Sequence, residues 1–248
     1  MPTDTDGGRQ RIYGQYVTAR DTPLAPRSID GLQPRLPYFR QVIRRHFPQD
    51  LDAAVLELGC GHGAFLHAMH EAGYKRARGV DWSDEQVRAA RHLGIAGVEK
   101  GDVISALSAT VNDSLDVVVT FDLIEHLTKG ELLPLVDDIH RVLRPTGRWI
   151  IHVPNGESPF GPRIRYGDFT HELAFTRFSI TQLLKASGFS SVQCYEDEPV
   201  PHGIKSLVRF LLWKMIRVGL LSYIAVETGA FDRGAVFSQN VLAVAQRS

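Results

Sequence analysis

Glu57-Leu58-Gly59-Cys60-Gly61-His62-Gly63 decides how the rest of the chain is read. An apolar pair, Val55-Leu56, runs into it, and Ala64-Phe65-Leu66-His67-Ala68-Met69 leaves it with a helical pattern. Three glycines at alternate positions let a backbone turn sharply from strand to helix and approach a ligand without intervening side chains. A dinucleotide site instead uses G-x-G-x-x-G and aims a helix N-terminus at a pyrophosphate. Here an acid leads the loop. A carboxylate at that point repels phosphate and attracts a cationic amine.

Outward from this loop, short β-rich runs alternate with helical patterns, which predicts a parallel sheet built of βα units. Strands are expected over Ala53–Leu58, Ala77–Val80, Gly97–Lys100, Leu115–Thr120, Arg148–Val153, Ser191–Tyr195 and Val236–Ala245. Helices are expected over Gly63–Ala72, from Ser83 (a good N-cap), over Glu131–Leu143 and over Ser179–Gly188. The fold expectation is α/β: a Rossmann-like, doubly wound, mostly parallel seven-stranded sheet with its last strand antiparallel. Apolar residues at helical spacing in Leu36–Phe47 predict an N-terminal helix, either a lid over the cleft or a helix packed on the sheet. Residues 1–30 read as a flexible N-terminal segment and 31–248 as a single domain. Within it, 154–178 is a substrate-side loop dense in Pro, Gly, Arg, His and aromatics. Residues 203–229 are a helical insertion between the last two strands.

The constellation of strand ends resembles the class I S-adenosylmethionine-dependent methyltransferases, whose donor carries an amine and a sulfonium but no phosphate. The resemblance implies S-adenosyl-L-methionine as cofactor and S-adenosyl-L-homocysteine as product. Glu57, Gly59, Gly61 and Gly63 match the motif that cradles the methionine portion. Asp81, followed by Trp82, closes the second strand and matches the acid that accepts the ribose hydroxyls. Asp102, with Val103 beside the ring, matches the acid that receives the adenine amino group. The end of the fourth strand, Phe121 and Asp122, is implied to line the cleft near the reactive methyl. Each acid taken alone is as readily a turn former or a helix cap.

Leu123-Ile124-Glu125-His126-Leu127 and Leu143-Arg144-Pro145-Thr146-Gly147 resemble a narrower group, the ubiquinone-biosynthesis O-methyltransferases and their small-molecule relatives. There the Glu-His pair lies near the active site, so His126 either orients a substrate or bonds locally. The 154–178 stretch is similar to segments of bacterial methyltransferases of sugar and polysaccharide pathways. An alcohol acceptor needs a base, and histidine titrates near neutrality. His171, set between Asp168 and Glu172, is the first candidate, with His126, His152 and Asp122 as fallbacks. Arg163, Arg165, Tyr166, Asp168 and His152 are candidates for holding a polar acceptor. The expected activity is O-methylation of a small polar acceptor such as a sugar or glycan. A phenol, quinone precursor or amine acceptor, or a non-catalytic cofactor-binding regulator, are the alternatives.

Composition narrows the partners. Lys+Arg and Asp+Glu both total 28, so counterion release offers no support for a nucleic-acid partner. Two cysteines, Cys60 and Cys194, make no disulfide framework and have no metal-ligand spacing, and no divalent-metal cluster is evident. A polar N-terminus without an apolar leader core predicts a cytoplasmic protein. The 203–229 insertion carries apolar residues with Lys205, Arg209, Lys214 and Arg217 among them. Such a helix covers the cleft, pairs two subunits as a homodimer, or lies at the inner membrane face.

Overall fold

The computed structural model describes Ile12 and residues 25–248. Most of the flexible segment expected over residues 1–30 lies outside the described residues. Of the expected flexible segment 1–30, the end is described: a 3-10 turn spans Ile29–Leu32 and buries Leu32.

Seven strands form one sheet in the order β3-β2-β1-β4-β5-β7-β6. They are β1 (Val55–Leu58), β2 (Ala77–Asp81), β3 (Val98–Lys100), β4 (Leu115–Phe121), β5 (Leu143–Pro154), β6 (Ser191–Glu196) and β7 (Asn240–Gln246). The first five pair in parallel, whereas β7 runs antiparallel to both β5 and β6. The helices are α1 (Leu36–His46), α2 (Ala64–Glu71), α3 (Asp84–His92), α4 (Val103–Ser108), α5 (Lys129–Val142), α6 (Gly161–Arg165), α7 (Arg177–Ala186) and α8 (Ile204–Thr228), and a second 3-10 turn spans Ile124–His126.

Both faces of the sheet are covered, so the central strands are apolar on both sides. On one face Val55, Val117, Val119, Phe121 and Ile150 pack with α1, α2 and α3 residues, among them Phe39, Phe65 and Ala90. On the other, Leu56, Leu58, Val118, Ile151 and Val153 pack with α4, α5 and α7. Strand alternation then fixes what shares a side at the carboxyl edge. Glu57, two residues past Val55, and His152, two past Ile150, both fall on the α1–α2 side. The N-terminal helix is therefore packed on the sheet through Leu36, Phe39, Val42 and Ile43, and its first turn reaches the edge where the strands end.

Several boundaries differ from the sequence expectation, and those around β5 and β7 have visible causes. The helix expected over Glu131–Leu143 starts at Lys129, because Thr128 and Glu131 close a capping box. It ends at Val142, since Leu143 already pairs with Leu115 as the start of β5; Pro145 and Gly147 fall in an irregular stretch of that strand. The last strand starts at Asn240 rather than Val236. The carbonyls of Val236 and Ser238 are taken by the Asn155 side chain, and the Phe237 amide donates to Glu196 Oε1.

Candidate active site

The glycine loop turns as its sequence requires. Gly59, Gly61 and Gly63 have φ of 69°, 54° and 79°, a region costly for any side chain. Space is short as well: a Cβ at Gly63 would lie 2.8 Å from Val98 Cγ2. Asp81 holds the turn in place, its Oδ2 accepting from the Gly61 amide (2.7 Å) and its Oδ1 from the Ser83 amide (2.8 Å). His62 Nδ1 and Gln86 Oε1, 3.1 Å apart, brace the loop against α3.

Glu57 lies beneath this turn, 2% exposed, and its Oε2 has no hydrogen-bond partner among the described residues. Burial, with the negative charge of Asp81 beside it, pushes its carboxyl up to about 8. Burial raises Asp81 too. A buried carboxylate oxygen without a donor is costly, and such groups in native proteins call for a partner. Here the missing partner is a cation or hydrogen-bond donor at the glycine turn. The amino group of S-adenosylmethionine fits that donor set and a pyrophosphate does not.

The other expected cofactor positions follow the same edge. Trp82 is 63% exposed beside Asp81. Asp102 caps α4, its Oδ2 accepting from the amide and hydroxyl of Ser105, and Val103 opens that helix. An open groove of about 550 Å³ flanks α4, lined by Arg78, Lys100, Asp102 and Ser105 among others. It meets the expected adenine end at Gly101–Asp102 and does not reach the glycine loop. Phe121 is buried among Phe39, Phe65 and Tyr38 and stacks on His152, with centroids 4.9 Å apart at 16°.

His152 is only 4% exposed. Its Nδ1 lies 2.7 Å from Asp122 Oδ1 and its Nε2 3.3 Å from Asp197 Oδ2. Burial alone would lower its pKa; the two carboxylates overcome that and carry it to about 10. The ring is thus a cation at neutral pH, with both nitrogens engaged. Asp122 sits at φ 53°, a strained conformation for a residue with a side chain, which turns its half-exposed carboxylate back to His152. Burial opposes its charge, but His152 outweighs burial and holds the carboxyl below the usual range.

A second cluster forms where the 154–178 loop returns over the end of β4. Asn155, fully buried, anchors the loop's start, while the amides of Glu172 and Leu173 both donate to the Glu125 carbonyl. This brings His171 against His126, ring centroids 4.7 Å apart. His171 Nδ1 is 3.1 Å from the Ile164 carbonyl. A carbonyl only accepts, so in the neutral ring Nδ1 carries the proton and Nε2 the lone pair. Thr170 donates its hydroxyl proton to Asp168 Oδ1 (2.6 Å), so Thr170 Oγ1 accepts from His126 Nδ1 at 2.8 Å. Burial and the neighbouring His171 lower His126 to about 4, which keeps it neutral. Glu125 is buried, and burial with the charge of Asp122 raises its carboxyl well above the usual range.

Arg165 is committed to the loop, donating to the carbonyls of His171 and Glu172. Arg163 is exposed, and Tyr166, 76% exposed, stacks under the Arg165 guanidinium at 5.1 Å. Asp168 serves the Thr170 turn.

Sequence reasoning missed Arg35, Tyr38 and Asp197 as parts of this edge. The Arg35 charge acts on Glu57 and Asp122. The Tyr38 ring meets His152 edge-on at 6.0 Å, and burial with nearby Asp197 and Asp122 pushes its phenol well up. Tyr38 falls beside the apolar stripe of the predicted helix rather than on it, and Asp197 carried no signal. The metal spacing sought in sequence also differs from that found in space. Ligand atoms of Glu125, His126 and His171 lie within 4.8 Å of one another, although 45 positions separate the histidines.

Residues 33–194 match the model of a methyltransferase domain. A curated relative from Mycolicibacterium smegmatis, named a probable S-adenosylmethionine-dependent methyltransferase, is 28% identical over 176 residues. That match takes in 66% of this chain and spans 63% of the relative's length. Among solved structures, a SAM-dependent methyltransferase from Archaeoglobus fulgidus superposes with a TM-score of 0.67 at 20% identity, covering 96% of this chain and 99% of that one. One from Thermotoga maritima, described as a possible histamine N-methyltransferase, gives 0.60 at 15% identity, covering 96% and 98%. A strand–glycine loop–helix turn with a buried acid at its front, seven strands in this order and a matching model over most of the chain agree: the chain belongs to the methyltransferase domain family and has the class I S-adenosylmethionine-dependent methyltransferase fold.

Proposed function

We propose that the protein methylates a hydroxyl of a small polar acceptor such as a sugar or glycan, with S-adenosylmethionine as donor and His171 as base. When bound, the donor supplies an electrophilic methyl group on a sulfonium. Glu57, beneath the close-approaching glycine turn, holds its amino group, Asp81 and Trp82 its ribose, and Asp102 and Val103 its adenine. A sugar hydroxyl does not ionise near neutrality, and a positioned base contributes about 10²–10⁴-fold.

The observation that carries this reading is the His171 tautomer. Its Nδ1–H is held by the Ile164 carbonyl, so in the neutral ring Nε2 is the nitrogen that takes the hydroxyl proton. His126, kept neutral, lies edge-on to that ring and adds no charge to it. His152 serves differently: as a buried cation it fixes Asp122 at the end of β4. Arg163 and Tyr166, exposed on the same loop, contact a polar acceptor.

The Glu125–His126–His171 grouping favours one other reading, in which a divalent cation rather than His171 lowers the acceptor pKa. A panel of nucleotide sugars, oligosaccharides, phenols and amines should show transfer to a sugar hydroxyl, unaffected by EDTA. His171→Ala should lower turnover by about 10²–10⁴-fold with donor affinity retained. Full activity in that variant removes His171 as base. Activity lost to EDTA and restored by magnesium assigns the role to a cation, and transfer to phenols or amines alone rejects the sugar acceptor.

A further inference from the structure

Helix α8 is turned the opposite way from a helix on the surface of a water-soluble domain. Three of its polar side chains face the protein: Trp213 Nε1 donates to Glu196 Oε2 (3.1 Å), Arg217 Nε to the same oxygen (3.2 Å), and Lys214 pairs with Glu198. Arg217 also donates to the carbonyls of Arg233 and Ala235. These contacts fix the roll of the helix. On the opposite side, helical periodicity aligns Ile204, Val208, Leu211, Met215, Val218 and Val226, each between 50% and 88% exposed. Ser206 is the one buried residue of α8. Surface helices ordinarily bury such a row.

We infer that this face docks on an anionic lipid bilayer, with α8 lying in the plane of the interface. Charge supports that occupant. Lys205 and Arg209 are exposed at the border of the apolar row and pair with no acid among the described residues, and Arg233 is exposed just beyond the helix. Glu227, near the C-terminal end, is the sole acid within α8. Tyr223 and Phe231, both largely exposed, add the aromatic groups that suit a headgroup layer. No described helix is long and apolar enough to cross a membrane, so the contact is lateral.

Area argues against a second copy as occupant. Twenty-five residues span about 37 Å, and a stripe about 10 Å wide offers about 400 Å². A stable protein–protein contact takes about 800 Å² from each partner.

The position of the helix adds a consequence. Residue Asp197, just past β6 and on the path to α8, touches His152 at the active edge. A docked α8 sets that edge beside lipid, where an acceptor carried on a membrane lipid is reached. This last step rests on the hydroxyl-transfer reading; the docking does not.

Vesicle co-sedimentation of the full chain tests it. The protein should pellet with vesicles of phosphatidylcholine and phosphatidylglycerol, and far less with phosphatidylcholine alone or at high salt. The double variant Leu211→Glu, Met215→Glu should lose about tenfold in binding. Both residues are exposed, so its thermal melt should match wild type, and a second pair, Val208→Glu with Val218→Glu, reads the same face. Protein left in the supernatant with both vesicle types overturns the proposal. So does a dimer in sedimentation equilibrium that the glutamate variants dissociate. Methyl-transfer assays in detergent-free buffer are read separately, so loss of the hydroxyl reading leaves the vesicle result standing.

Discussion

Glu57 is a buried carboxyl pushed up to about 8, because burial and the charge of Asp81 both oppose its ionisation. A cationic ligand beside it reverses that balance and favours the carboxylate. Binding of S-adenosylmethionine should therefore release a proton near neutrality, and affinity should rise as pH rises toward 8. Calorimetry in buffers of different ionisation enthalpy measures the release; Glu57→Gln should abolish it and weaken binding by about 1–3 kcal/mol. Proton uptake, or an unchanged affinity in the variant, would separate Glu57 from the ligand. Asp81 calls for a subtler substitution, since both of its oxygens hold the loop. Asp81→Asn keeps one acceptor oxygen, whereas Asp81→Ala removes the ribose partner and the Gly61 anchor together.

At the scale of elements, the ends of β4, β5 and β6 meet in one polar seam, Asp122–His152–Asp197, beneath Tyr38 of α1. His152 titrates near 6.5 in an unfolded chain and at about 10 here, so the folded state binds its proton more tightly. The stabilisation is complete below about 6.5 and is lost as pH rises through about 10. Thermal melts should fall across that window, and His152→Asn should flatten the fall; an unchanged slope would show that the seam contributes nothing. The βα alternation was legible because strands buried on both faces leave continuous apolar runs, as in Val117–Val119. The 203–229 helix was legible from its glycine limits, which cap it in the structure. The capping box at Thr128 and the early start of β5 were harder to read, being set by side-chain bonds and by pairing with distant Leu115. Asp197 lay beyond sequence reading, because only the sheet order brings it beside His152. The Glu125–His126–His171 grouping likewise depends on the return of a loop rather than on spacing.

Across the whole molecule, the sheet collects at one edge a glycine turn, three acids at strand ends and a pair of neutral-capable histidines. The α8 face extends outward from the same edge. What unites these features is a pocket built for a positively charged, phosphate-free donor, and direct binding tests it. Purified protein titrated calorimetrically with S-adenosylmethionine, S-adenosylhomocysteine and NAD should bind the first two and ignore the third. Tight binding of NAD with no response to either sulfur compound would contradict the account at its root.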